Sequence, residues 1–177
     1  MPGAQTSWTV RKAGAGLALV AVSAAGGILG MGPDARSQEA PLAAGQAAVF
    51  ADDEAAIERL VERAKAAPNG VAVEELARTE GASVHRIAIV GEVEPHRHLA
   101  HDEVVRVVRG AGTFIYGDFG EKTVAAEVKA GWTVAIPRGT AHAYRPAKEA
   151  GPTVAVLVYS PPFDGKDRVP LEGPGGK

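Results

Sequence analysis

The sequence predicts an all-β domain, a closed barrel or sandwich, preceded by one short helix and an N-terminal leader. Three observations predict it. From residue 71 onward the chain breaks into short β-rich runs punctuated by Gly and Pro, at 83–90, 104–108, 113–116, 123–128, 132–136, 141–144 and 153–159, and runs at this spacing suit a barrel or sandwich. The apolar share of 46% is ordinary while aromatics supply only 5%, so the core rests on Val, Ala, Ile and Leu, a composition that suits strands. At 177 residues there is room for one ordinary domain with extra material at an end.

Residues 1–37 read as a secretory signal or an N-terminal membrane anchor. Arg11 and Lys12 precede an uncharged stretch from Ala13 to Pro33 whose centre, Leu17 to Ala25, is apolar, the layout of an export signal. Small residues at cleavage-competent spacing occur at Val22-Ser23-Ala24 and at Ala35-Arg36-Ser37. The mature start is therefore expected near Ala25 or at Gln38, with Gln38 favoured. A retained anchor is the other reading, because about 20 uncharged residues can span a bilayer. Either way the expected location is exported, periplasmic or secreted.

Residues 38–70 form a linker and a helix. The linker ends where Asp52 or Asp53 can cap a helix whose Ile57, Leu60, Val61 and Ala64 recur at helical spacing. Pro68-Asn69-Gly70 stops it. The barrel is expected over 71–163, with Gly110-Ala111-Gly112, Gly117-Asp118 and Ala130-Gly131 as turns. Residues 164–177 read as a C-terminal tail.

Charge and composition remove several function classes. A formal net charge of −2 without a block of like charges gives no electrostatic footprint for nucleic acid. There is no cysteine, which removes disulfide frameworks, thiolate metal sites and a cysteine nucleophile. No nucleophile-elbow serine, phosphate-binding loop or dinucleotide fingerprint occurs.

The chemistry is concentrated in the histidines. Four of the five fall between His96 and His142. His96 and His98 are two apart and on a strand point to one face. Glu103, after a short loop, opens the next run, and His142 lies on a later run that follows Pro137-Arg138-Gly139. Three nitrogens and one oxygen suit one divalent transition metal such as Fe, Mn, Ni or Zn. Four protein ligands leave a five- or six-coordinate ion open to substrate.

These residues resemble the cupin superfamily. Gly91, His96, His98, Glu103 and Gly110, separated by four, one, four and six residues, are similar to the first cupin motif. Gly131, Pro137, Gly139 and His142, separated by five, one and two, are similar to the second, with 20 residues between the motifs. The resemblance spans about 82–163. It implies a cupin double-stranded β-helix, or jelly-roll, barrel in which His96, His98, Glu103 and His142 hold the metal. Two departures stand out: four residues rather than the usual five separate Gly91 from His96, and Pro146 stands where Asn is common.

Around this set the sequence offers further candidates. Tyr144 shares the face of His142 two residues on and is the expected pocket phenol, while His85, in phase with Ile87 and Ile89, is expected to face inward as a pocket group. Both are taken as candidate catalytic residues. His101 is expected to be exposed in its loop, and the motif glycines to serve turns with unusual backbone angles. The expected function is a metal-dependent cupin enzyme on a small organic substrate, of dioxygenase, isomerase or decarboxylase type. The alternative is a non-catalytic module for a sugar or carboxylate. A homodimer is the default expectation, drawn from the family and not from the sequence.

Overall fold

The computed structural model describes residues 41–43, 46–48, 50 and 52–171. The expected leader at 1–37 and its cleavage sites lie outside the described residues. Among those described, no helix is long and apolar enough to cross a membrane.

One helix comes first. α1 spans Glu54–Ala66 and is capped by Asp53, whose carboxylate accepts from the Ala55 amide at 3.1 Å, satisfying a donor that the first turn leaves free. Its 3.6-residue period puts Ile57, Leu60, Val61 and Ala64 on one face, and all four are buried. They pack against Ala72, Ala88 and Val154, two of them small residues that let the helix lie close on the sheet. The turn after α1 returns tightly: Gly70 sits at φ 67°, and its carbonyl accepts from the amides of Val90 and Gly91 at 2.8 and 3.1 Å. Gly91, the first motif glycine, is needed for space and not for an unusual angle, because a Cβ there would lie 2.6 Å from the Asn69 carbonyl oxygen.

Among the described residues ten strands follow, in two antiparallel sheets. They are β1 Val71–Arg78, β2 Ser83–Ile89, β3 Val93–Arg97, β4 Asp102–Arg109, β5 Ala111–Tyr116, β6 Val124–Lys129, β7 Thr133–Ile136, β8 His142–Pro146, β9 Thr153–Ser160 and β10 Val169–Pro170. The first sheet runs β1-β2-β9-β4-β7 and the second β10-β3-β8-β5-β6. The order is far from sequential, as in a jelly roll whose long connections bring distant strands together. The sequence reading missed three strands, β1, β3 and β10. β3 and β10 are too short to show alternation, and β1 carries consecutive glutamates that mask its period.

Strand periodicity sorts the side chains between two cores. On β2, Ile87 and Ile89 join the inner cluster with Val107, Phe114, Val128, Ile136 and Tyr144, whereas the intervening Ala88 faces α1. On β4, Glu103 is in phase with inward Val105 and Val107, and Val104 between them is exposed on the outer face. The inner core therefore fills one part of the space between the sheets. Polar side chains of the same inward phase fill the other.

Candidate metal centre

Register brings the expected ligands together from both sheets. β3 pairs with β8 so that His96 lies beside His142, and their ring centroids are 4.3 Å apart. His98 follows one residue past the end of β3. Ligand nitrogens of His96, His98 and His142 lie within 4.8 Å of one another, and all three residues are buried. Glu103 comes from the opposite sheet, where its register partners are Tyr159 on β9 and Ile136 on β7. Its Oε2 lies 3.4 Å from His142 Nε2 and 3.7 Å from His98 Nε2.

The proton positions follow from the partners. Each imidazole turns its Nδ1 to a backbone carbonyl: His96 to Glu94 at 2.8 Å, His142 to Thr140 at 3.0 Å, and His98 to Asp167. A carbonyl only accepts, so each Nδ1 carries the hydrogen and each Nε2 keeps its lone pair. Glu103 is arranged in the same way. Its Oε1 accepts from the Tyr159 hydroxyl at 3.1 Å, which leaves Oε2 directed at the imidazoles.

Two atoms at the centre of this cluster, His98 Nε2 and Glu103 Oε2, are buried without a hydrogen-bond partner. A buried polar atom left so costs about 1–3 kcal/mol, and here an imidazole lone pair and a carboxylate oxygen both face one point. A divalent cation satisfies both. The donor set, three imidazole nitrogens and one carboxylate oxygen, fits a first-row transition metal.

Electrostatics keep the donors ready. Burial, aided by the neighbouring His142, pushes the His96 pKa down to about 3, and burial also lowers that of His98 despite the Asp167 carbonyl. Both imidazoles are unprotonated at neutral pH. Burial, together with the Glu103 carboxylate, pushes the Tyr159 phenol far up, so that hydroxyl remains a donor.

The other candidates fall elsewhere. Tyr144 does share the inward face with His142, yet alternate residues on a strand are about 7 Å apart along it. That step carries Tyr144 into the inner apolar cluster, where its hydroxyl bonds Thr153 Oγ1 at 2.9 Å. The phenol bonded to the cluster is Tyr159, which closes the run at 153–159 and which the sequence does not single out. His85 is buried and inward, but its Nε2 meets Ser83 Oγ at 2.9 Å. Its ring stands edge-on to Tyr159 with centroids 5.5 Å apart, and Tyr159 in turn stands against His98. His85 is thus one layer behind the histidine cluster.

His101 corrects an expectation as well. It is buried, with 5% exposure, and its Nδ1 lies 2.6 Å from Asp167 Oδ2. Asp167 belongs to the stretch expected to be a tail, of which residues 164–171 instead run against the barrel, with β10 paired to β3. The signal that could have found Asp167 is weak: a single acid in a stretch with no periodicity.

Comparison with known proteins agrees with the two motifs. Residues 83–159, from β2 to β9, match the family model described as Cupin domain. An uncharacterized protein of Aquifex aeolicus (strain VF5) is 34% identical over 116 residues, covering 66% of this chain and 90% of that one. Among solved structures, KdgF from Halomonas sp. is similar at 19% identity and a TM-score of 0.49, over 55% of this chain and 85% of that one. A recombinant oxalate oxidase in complex with glycolate is similar at 30% identity and a TM-score of 0.45, over 52% of each chain.

Proposed function

The chain belongs to the cupin superfamily, and on that premise we propose that it is an exported metalloprotein using one divalent transition metal, held by His96, His98, Glu103 and His142, to act on a small organic substrate. The observation that carries the reading is the pair of buried, unpartnered atoms, His98 Nε2 and Glu103 Oε2, beside two further imidazoles. A bound ion supplies Lewis acidity, or oxygen chemistry where it is iron. The chain's own part is preparation. Three carbonyls aim the imidazoles, and Tyr159 holds Glu103 by one oxygen and leaves the other to the metal. Dioxygenase, isomerase and decarboxylase chemistry all fit such a centre, and the fold does not choose among them.

One observation favours the alternative of a sugar- or carboxylate-binding module. The acid–base side chains around the cluster are already engaged: Tyr159 with Glu103, His85 with Ser83, and His101 with Asp167. Catalysis here therefore requires the ion itself to carry the chemistry. Export rests on the Arg11-Lys12 and apolar pattern of residues 1–37, and intact mass of the protein recovered from its native host reads whether that segment is removed.

The deciding experiment is elemental mass spectrometry of the full-length chain purified without chelators. Near one iron, manganese or nickel per chain, with turnover of a small organic acid or sugar, is the expected result. Near-zero metal after reconstitution overturns the metal reading. His142→Ala is expected to reduce occupancy to background, and occupancy equal to that of the parent would sink the ligand assignment.

A further inference from the structure

The three ligand histidines are not aimed in the same way. His96 and His142 each donate from Nδ1 to the carbonyl two residues earlier, Glu94 and Thr140, so a partner in their own segment sets their tautomer, although Arg168 also reaches the Glu94 carbonyl and His96 Nδ1 at 3.3 and 3.4 Å. His98 has no such local partner. Its Nδ1 partner is the carbonyl of Asp167, 69 residues further along the chain.

The segment that provides this carbonyl, residues 161–171, lies beyond the 83–159 span that matches the family model. It is fastened at several points. Val169 and Pro170 pair with Arg97 and His96 of β3, and the Leu171 amide donates to the Pro95 carbonyl at 3.0 Å. The Phe163 ring stands against His98 and His101, with centroids 5.4 and 5.3 Å away, and stacks on Tyr159 at 4.8 Å. The Asp167 carboxylate accepts from the amides of Leu99 and Ala100 at 2.9 and 2.7 Å and meets the His101 ring. Those three residues form the loop between His98 and β4, the strand that carries Glu103. One aspartate thus grips the loop joining two ligands with its side chain and aims one of them with its main chain.

We propose that this C-terminal segment is a strap that completes the metal centre, with Asp167 as the positioning residue that fixes the tautomer and aim of His98. The strap's hold on His98 stands by itself, while its consequence for metal rests on the function proposed above. A carbonyl at Nδ1 keeps the hydrogen there and frees Nε2 for the ion; without it the imidazole is free to take the other tautomer and rotate. Partners that orient a ligand histidine in this way contribute about 10–100-fold to metal affinity.

The test pairs Asp167→Ala in the full-length protein, which keeps the carbonyl but removes the carboxylate that anchors it, with a chain ended after Phe163, which removes the carbonyl itself; both are read in two ways. In the metal-free state, two-dimensional NMR of the imidazole nitrogens reports the His98 tautomer. The parent is expected to show hydrogen at Nδ1, and each variant a mixture or the Nε2 form, while His142, which has no partner in this segment, stays unchanged. Chelator competition is expected to give a 10–100-fold loss of metal affinity with the far-UV circular dichroism of the parent. Asp167→Asn, which keeps an acceptor for the Leu99 and Ala100 amides, is expected to recover part of both. A His98 tautomer unaltered in the shortened chain overturns the strap, and one unaltered in the Ala variant alone overturns the positioning role of the Asp167 carboxylate. A tautomer that changes as expected in a protein that binds no metal upholds the strap and overturns the metal reading instead.

Discussion

Two buried tyrosines mark opposite ends of β9, and they live in different surroundings. Thr153, which opens the strand, meets the hydroxyl of Tyr144; Tyr159, near its other end, gives its hydroxyl to Glu103. Six residues of strand separate the two, about 20 Å. At the Tyr144 end the phenol is set among Ile89, Val107, Phe114, Val128 and Ile136. At the Tyr159 end the neighbours are three histidines, His85, His98 and His101, and the buried Glu103 carboxylate, and His98 Nε2 and Glu103 Oε2 have no partner. The first end is built for stability. The second holds an arrangement that costs stability until something cationic enters it.

The sharpest way to break that comparison is to measure the same deletion at both ends. Tyr159→Phe is expected to weaken metal binding by about 10–100-fold, because Glu103 loses the donor that orients it; chelator competition checks this. Unchanged affinity would make Tyr159 a packing residue like Tyr144.

Acid sharpens the contrast next. The folded-state pKa of His96, about 3, lies below its ordinary 6.5. Between those values the unfolded chain binds the proton and the folded chain does not, so stability falls as the pH is lowered through this window. Above pH 6.5 the term is flat. The metal-free protein is expected to show this decline in thermal midpoint, and His96→Phe, which removes one titrating ring while His98 remains, to make it shallower. Asp167 adds a second, lower window. Burial opposes its ionisation, but bonds from His101, Ala100 and Leu99 outweigh burial and hold it at about 2. Its stabilisation is present above 3.8 and is lost as the pH falls toward about 2.

The smallest effect belongs to the apolar end. Tyr144→Phe removes one hydroxyl bond and is expected to cost about 1 kcal/mol of stability. Thr153 Oγ1 keeps the Ala111 carbonyl as a partner at 3.3 Å. Metal affinity should not change, and a loss there would return Tyr144 to the site from which the structure removes it.

How legible each part was follows from the range of the interaction behind it. α1 was plain because a cap, a 3.6-residue period and a Pro-Asn-Gly stop are written within 18 consecutive residues, Asp53 to Gly70. The long inward strands were plain for the same reason. The strands that escaped, β3 and β10, are held by pairing with each other and with β8 and show little pattern of their own. Among site residues, His96, His98, Glu103 and His142 stand in spaced motifs, and the structure gathers all four. Tyr144 was misplaced because parity fixes the face of a strand but not the depth along it.

The amino-acid sequence by itself determined the fold class, the family, the helix and the four side chains that converge, because local periodicity and motif spacing encode each of them. Only the tertiary structure decided which tyrosine bonds Glu103, that His101 is buried, and that a stretch with the look of a tail delivers Asp167 to His98. Those facts depend on strand register and on contacts across as many as 69 residues. A hydrogen bond leaves a mark in sequence when its partners lie within one turn or one strand, and leaves almost none when the fold alone brings them together.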